Sequence, residues 1–587
     1  MEATLNYFDK INKLRILQIK KLKENHNFYL ISIFRLIWSI AIGTLAAIVT
    51  MGGLTKINPR NVSWISGDNL TSYVAQLYYL SDNWHLPLSA NPNYGNELST
   101  SLTYTGPSPI LMYFQKIVGL NPQLQLFGFW VILNFILQIY FSLLVVKVLG
   151  GNLKQSILIS ILSISPSLIF RTQMHLWLIS HFLILWALSI CIKYYKFKII
   201  RKIELSGIIA LSFLINTYLL GMVLTMLLYP FIHDLIYKKE ILRKKFSTPI
   251  VGLSTIFAVY LITEGINKQK TFYESIKMFF SSTYGYHHFN LLSFINPDDG
   301  ILAEANGGLI PIGTVLNFSI TKMNLGNTPG AYEGFAYLGA GAILLVLLSI
   351  FIKNINLTVL FRNSNFRIIF ILLTAVSIFS ITNRIGVGSF EYTFPIPVLA
   401  TWALGIFRSS GRFMWIVGYL ILFLAASRLI RETKLRTSIM LISLCLSFQI
   451  LDLSIPMKNI YEGSNWSKSP KNFIQISKPI DFDKFVIGKN RIEVWPKGMV
   501  SDNSYADVNY WAWSAGMTTD WILTSRENVF LRYREQNMTF NRICLGPMAD
   551  NVVYMVPKIF LPELTKSGCT PNLKKSRIYK NLVFFKN

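Results

Sequence analysis

Apolar runs long enough to cross a bilayer recur along most of this chain, and they leave few folds open. A membrane-spanning helix needs about 20 consecutive, mainly apolar residues. Such runs lie near 30–52, 124–148, 155–171, 174–194, 204–219, 220–237, 249–266, 332–352, 366–382, 412–430 and 437–455. The stretch 204–237 reads as two antiparallel helices turning near Thr217–Gly221. The count is about eleven spans. Composition agrees: 52% of residues are hydrophobic and only 14% charged, against about 25% charged in soluble domains.

A formal net charge of +27 could indicate nucleic acid, but the basic residues sit in the wrong places for it. They gather in short connections between apolar runs: "KVLGGNLK", "KYYKFKIIRK", "YKKEILRKKF", "IKNINLTVLFRNSNFR" and "SRLIRETKLR". Short basic loops mark the cytoplasmic side of a membrane protein. No nucleic-acid partner is expected; membrane lipids are. Residues 1–29 form a basic cytoplasmic segment, and the first run is too long for a signal-peptide core. The intervening loops 53–123, 267–331 and 383–411 are longer and less basic, so they belong outside. Within the first, "SPILMYFQKIVG" (108–119) is too short to span and reads as an interfacial helix. The fold class is a polytopic α-helical membrane protein with its N-terminus inside and C-terminus outside. Its transmembrane domain covers 30–455, and residues 456–587 form a small extracytoplasmic α/β domain. In that domain "NRIEVWP", "NVFLRY", "VVYMVP" and "NLVFF" read as strands and Val508–Met517 as a helix.

The four cysteines show no metal spacing. Cys191 and Cys445 lie in apolar runs and read as packing residues, whereas Cys544 and Cys569 are a disulfide candidate in the outer domain. No cofactor is specified. A divalent metal is compatible with the His287–His288 and Asp298–Asp299 segments, although a solvated loop is the plainer reading. His175 and His181, six apart on the fourth span, fall on different faces and do not suggest a joint site.

The outer loops carry nearly all the candidate chemistry. Asp68 opens "DNLTSYVAQLYYL" just after the first span, where a carboxylate can act as a base or cap a helix. "FRSSGRF" (407–413) sets Arg408 and Arg412 beside small residues at a helix N-terminus, which suits a phosphate. Arg171 lies toward the bilayer at a cost of roughly 2.5–3.5 kcal/mol, so a paired or binding role is expected. Gly334, Gly339 and Gly341 in "GFAYLGAGA" read as helix-packing residues.

The segments "GDNLTSYVAQLYYLSDNWHLPL", "LFGFWVILNFILQIYF", "EGFAYLGAGAILLVLLSI" and "FRSSGRF", with a Pro-containing interfacial helix, resemble the GT-C superfamily of membrane glycosyltransferases, closest to an uncharacterised bacterial branch. The resemblance implies transfer of a sugar from a polyprenyl-phosphate donor to a glycan or lipid acceptor on the outer face of a bacterial cytoplasmic membrane. It assigns the base to Asp68 and the lipid phosphate to Arg408 and Arg412. Tyr73, Trp84 and His85, with Tyr78 and Tyr79, would then line a sugar site. One departure is plain: where the branch often reads Thr-Asp-Ser, this chain has "TGPS" with Gly106. A surface-polysaccharide polymerase or ligase, a transporter of lipid-linked sugars and a non-catalytic envelope protein are the competing classes.

Overall fold

The computed structural model describes residues 32–106, 108–237, 246–265, 284–297, 315, 330–352, 361–465, 478–479, 481–498, 504–524, 528–567, 569, 576–579 and 581–587. The basic segment 1–29, Asp298, Asp299 and most of loop 267–331 lie outside the described residues.

Among the described residues six helices are long and apolar enough to cross a membrane: Ser32–Met51, Phe127–Leu149, Thr217–Tyr237, Ser364–Ile381, Ser410–Glu432 and Leu435–Tyr461. A seventh candidate is the pair Leu153–Leu162 and Pro166–Met174, bent by 48°. The bend follows from Pro166, which cannot continue a helix but is well placed to restart one, capped by Ser165 Oγ accepting from Leu168 N. Shorter helices cover Phe182–Phe197, Lys202–Ile215, Ser247–Thr263 and Ala340–Phe351. The 204–237 stretch is two helices as expected, turning at Asn216.

The run 332–352 is helical only from Ala340; Phe335–Gly339 is irregular backbone after a short 3-10 turn at Ala331–Gly334. Gln449 and Asp452 on the last long helix reach across to the amides of Gly341, Ala342 and Ala340, closing the N-terminus of the Ala340–Phe351 helix. A Cβ at Gly341 would collide with Cys445 and Gln449, so this glycine is a packing residue.

A hairpin of β1 (Arg384–Val387) and β2 (Phe390–Thr393) caps one face of the bundle. On the same face sits the C-terminal domain, a mixed sheet of β3 (Arg491–Val494), β4 (Thr518–Thr519), β5 (Val552–Pro557), β6 (Ser576–Tyr579) and β7 (Leu582–Phe585) in the order β4-β3-β5-β7-β6. "NVFLRY" is the start of a helix, Val529–Cys544, rather than a strand: Asn528 accepts from Leu531 N and caps it. A short apolar run does not separate the two states, and the local cap decides. Cys544 and Cys569 are joined in a disulfide that ties the end of this helix to the segment beyond Leu561–Lys566. Cys191 and Cys445 are free and buried.

The Gly67–Ser81 helix connects the two halves. Tyr73 and Leu77 belong to the membrane core. Val74, Ala75 and Tyr78 belong to the core of the C-terminal domain. Tyr78 OH donates to Asn509 O, Arg491 pairs with Glu97 and Tyr94 bridges to Thr519 of β4.

Candidate functional site

The chain breaks its helices where the polar residues collect. The Pro166–Met174 helix stops at His175, and residues 175–181 run as turns before the next helix starts. Bonds from other elements hold this break: Asn69 Oδ1 accepts from Leu176 N, Trp130 Nε1 donates to Leu176 O, and His181 Nδ1 bonds Tyr419 OH. His175 is thereby pinned beside the start of the Gly67–Ser81 helix, with Nδ1 3.3 Å from Asp68 Oδ2.

Asp68 does not cap that helix. It sits in the first turn, after an N-cap at Ser66, and its carboxylate faces His175. The other imidazole nitrogen, Nε2, lies 3.4 Å from Glu333 Oε1. Glu333 is the centre of the cluster. Arg171 Nη1 donates to its Oε2 at 2.7 Å, while Arg412 donates from Nε to Oε2 at 2.9 Å and from Nη2 to Oε1 at 2.5 Å. Burial alone would raise the Glu333 carboxyl, but Arg412 and Arg171, with His175, offset this and hold it well below the usual carboxylate range. The arginines are further seated on aromatic rings, Arg412 on Tyr218 at 4.5 Å and Arg171 on Trp415 at 5.3 Å. Trp415 Nε1 in turn donates to Phe335 O, fixing the irregular segment that follows Glu333.

Close backbone contact brings these groups together. A Cβ at Gly334 would collide with the His288 carbonyl, and one at Gly411 would lie 2.8 Å from Gly334 Cα. Only glycine lets the three segments approach so closely. Four of the five charged or titratable side chains are buried, and Asp68, with its side chain 58% exposed, is the one open to solvent.

The sequence-derived candidates divide. Asp68, Arg171 and Arg412 converge. Arg408 does not: Arg412 turns inward to Glu333, whereas Arg408 is exposed and makes no ion pair among the described residues. The backbone amides expected to form a phosphate cradle are spent, Ser409 N on Tyr218 OH and Gly411 N on His287 O. The aromatics expected to line a sugar site do not gather beside Asp68 either. Tyr73 OH donates to Gln123 O and Tyr79 OH to Leu88 O, as internal struts. Trp84 and His85 lie past the far end of the helix, about 20 Å from Asp68 at 1.5 Å per residue. There Trp84 packs against Lys116 and His85 pairs with Asp82.

His287 and His288 are buried rather than solvated, bonded through Nδ1 to Gly330 O and Gly285 O. Among the described residues no group of three His, Cys, Asp or Glu side chains could hold a metal. Position 106 is closed to the aspartate of the resembling branch: Gly106 has φ +111°, and a Cβ there would strike Ser72 Oγ. The segment 108–119 forms a helix, Pro109–Val118, with Phe114, Ile117 and Val118 exposed along it.

Long apolar helices around a buried charge cluster, beneath a docked mixed-sheet domain, define a helical membrane protein. Residues 40–454, well over half the chain, match a domain of unknown function, DUF6311, and the chain belongs to that family. No curated protein and no solved structure matches it.

Proposed function

We propose that the protein is a membrane glycosyltransferase that moves a sugar from a polyprenyl-phosphate donor to a glycan or lipid acceptor, with Asp68 as the base. The observation that carries this reading is the single solvent-open carboxylate at the end of an otherwise buried Asp68–His175–Glu333–Arg171/Arg412 chain. A base must reach its substrate while the groups that orient it stay fixed. His175 stands between the two carboxylates, 3.3 Å from Asp68 and 3.4 Å from Glu333, where it can orient the base.

In the proposed step Asp68 takes the acceptor's hydroxyl proton as the acceptor oxygen bonds to the anomeric carbon. The bond from that carbon to the phosphate oxygen breaks, and its electron pair leaves with the lipid phosphate. Arg171 and Arg412 are both engaged by Glu333, so in this proposal the exposed Arg408 meets the phosphate. Cationic contacts that tighten as charge develops lower the barrier.

The orientation belongs to the same proposal. The six long helices, the bent pair and the four shorter helices make eleven passes. The basic connections meet on the face opposite the C-terminal domain: Lys196 bonds Val148 O, Lys198 bonds Asn365 and Gln155 bonds Ser438. This grouping supports a cytoplasmic position for that face, with the Asp68 cluster outside in a bacterial cytoplasmic membrane.

A transporter of lipid-linked sugars is the second reading, favoured by the helix broken at 163–165 and again at 175–181 around Arg171 and His175. Glycan mass spectrometry on a deletion strain separates the two. Asp68→Asn, near-isosteric, should lower sugar addition by about 100-fold or more while the protein is made and inserted. Full restoration of the glycan by Asp68→Asn would remove the base and the transferase reading with it.

A further inference from the structure

A cavity of about 450 Å³ opens between the C-terminal end of the Gly67–Ser81 helix and the C-terminal domain. Its volume falls within the range of small-molecule sites, about 300–1,000 Å³. Trp513 and Tyr78 supply aromatic surface, Asp82 a carboxylate, and Asn93 and Gln123 side-chain amides. Among the described residues no lysine or arginine lines it, although Lys478 donates to the lining Ser514.

The walls are fixed before any ligand arrives. Trp513 Nε1 donates to Ser81 Oγ at 2.8 Å, Tyr78 OH donates to Asn509 O, and Asp82 receives His85 at 3.0 Å and Asn83 N at 2.8 Å. The side-chain amides of Asn93 and Gln123, in contrast, have no partner among the described residues, although the backbones of both are bonded into the fold. Amides that do not serve the fold are available to a ligand. Flat aromatic surface beside amide and carboxylate groups matches one chemistry well: a pyranose has an apolar face to lie on a ring and a rim of hydroxyls to bond. The Asp82 carboxylate in the wall disfavours an acidic sugar.

We propose that this cleft binds a short saccharide that is uncharged or carries an amine. It lies at the opposite end of the Gly67–Ser81 helix from Asp68, about 20 Å away, so it is a second site. That the bound saccharide is part of the acceptor glycan rests on the transferase reading; that the cleft binds one does not.

The test is saturation-transfer NMR on the full chain in nanodiscs, with chitotriose, its de-N-acetylated trimer and trigalacturonate as probes. Chitotriose or the amine trimer should bind saturably, and trigalacturonate at least about 10-fold more weakly. Trp513→Ala, and separately the double variant Asn93→Ala/Gln123→Ala, should weaken binding by about 10-fold or more, since each lost amide bond is worth about 1 kcal/mol. The double variant removes groups with no partner in the fold, so its melting temperature should match the wild type even if loss of Trp513 destabilises the domain. Asp68→Asn should bind as the wild type does. Binding by none of the probes, equal binding of trigalacturonate, or wild-type binding by the double variant overturns the proposal. If binding stands while Asp68→Asn restores the glycan in cells, the transferase reading falls and the saccharide site remains.

Discussion

At Glu333 one carboxylate holds two guanidiniums and touches an imidazole, all buried. Removing one partner of such a group leaves uncompensated buried charge, at about 3–5 kcal/mol. Glu333→Gln should therefore lower the melting temperature in detergent sharply, and a wild-type melt would mean the arginines are solvated after all. His287 gives a pH signature. Burial, with Arg408 and Arg412 nearby, pushes it down to about 4 against the pull of Glu333. Between its unfolded value near 6.5 and about 4, the unfolded chain binds a proton that the fold refuses. Stability is then full above pH 6.5 and falls by about 1.4 kcal/mol per unit as pH drops through that window. Melts at pH 7, 5.5 and 4.5 should show this slope, and His287→Gln should flatten it. Asp68, Arg171 and Arg412 were legible in the sequence because charged residues beside apolar runs stand out. Glu333 was not, since it begins a run read as a span, and only the helix's late start at Ala340 frees it. His175 was read on a continuous helix, so its place at a break was hidden. The pairing of Arg171 and Arg412 with one carboxylate is a tertiary fact that no local pattern records.

Among the elements, the spans were readable because apolar length is a one-dimensional signal, whereas loop packing was not. Gly106 is the clearest case. In the sequence it is a departure from the branch the chain resembles; in the fold it is a left-handed residue pressed on Ser72, whose Oγ donates to Asp68 O. Gly106→Ala should displace the first turn of the Gly67–Ser81 helix. The expected outcome is reduced glycan addition together with faster proteolysis of loop 53–123. Wild-type behaviour in both assays would show that the contact relaxes freely.

For the whole molecule, the disulfide closes a stretch of 25 residues, which in a chain-entropy account is worth roughly 3 kcal/mol. Cys544→Ser/Cys569→Ser should make the C-terminal domain the first part cut by trypsin, and an unchanged pattern would assign the domain's stability to its apolar core alone. That core is also where the family boundary and the physical boundary part company. The DUF6311 match ends at 454, before the C-terminal domain begins, yet Val74, Ala75 and Tyr78 of the matched part are buried in that domain. A chain cut at the edge of the match would bare one side of the helix that carries Asp68. The two parts share one helix as a common wall, so a cut at that edge should cost both of them stability.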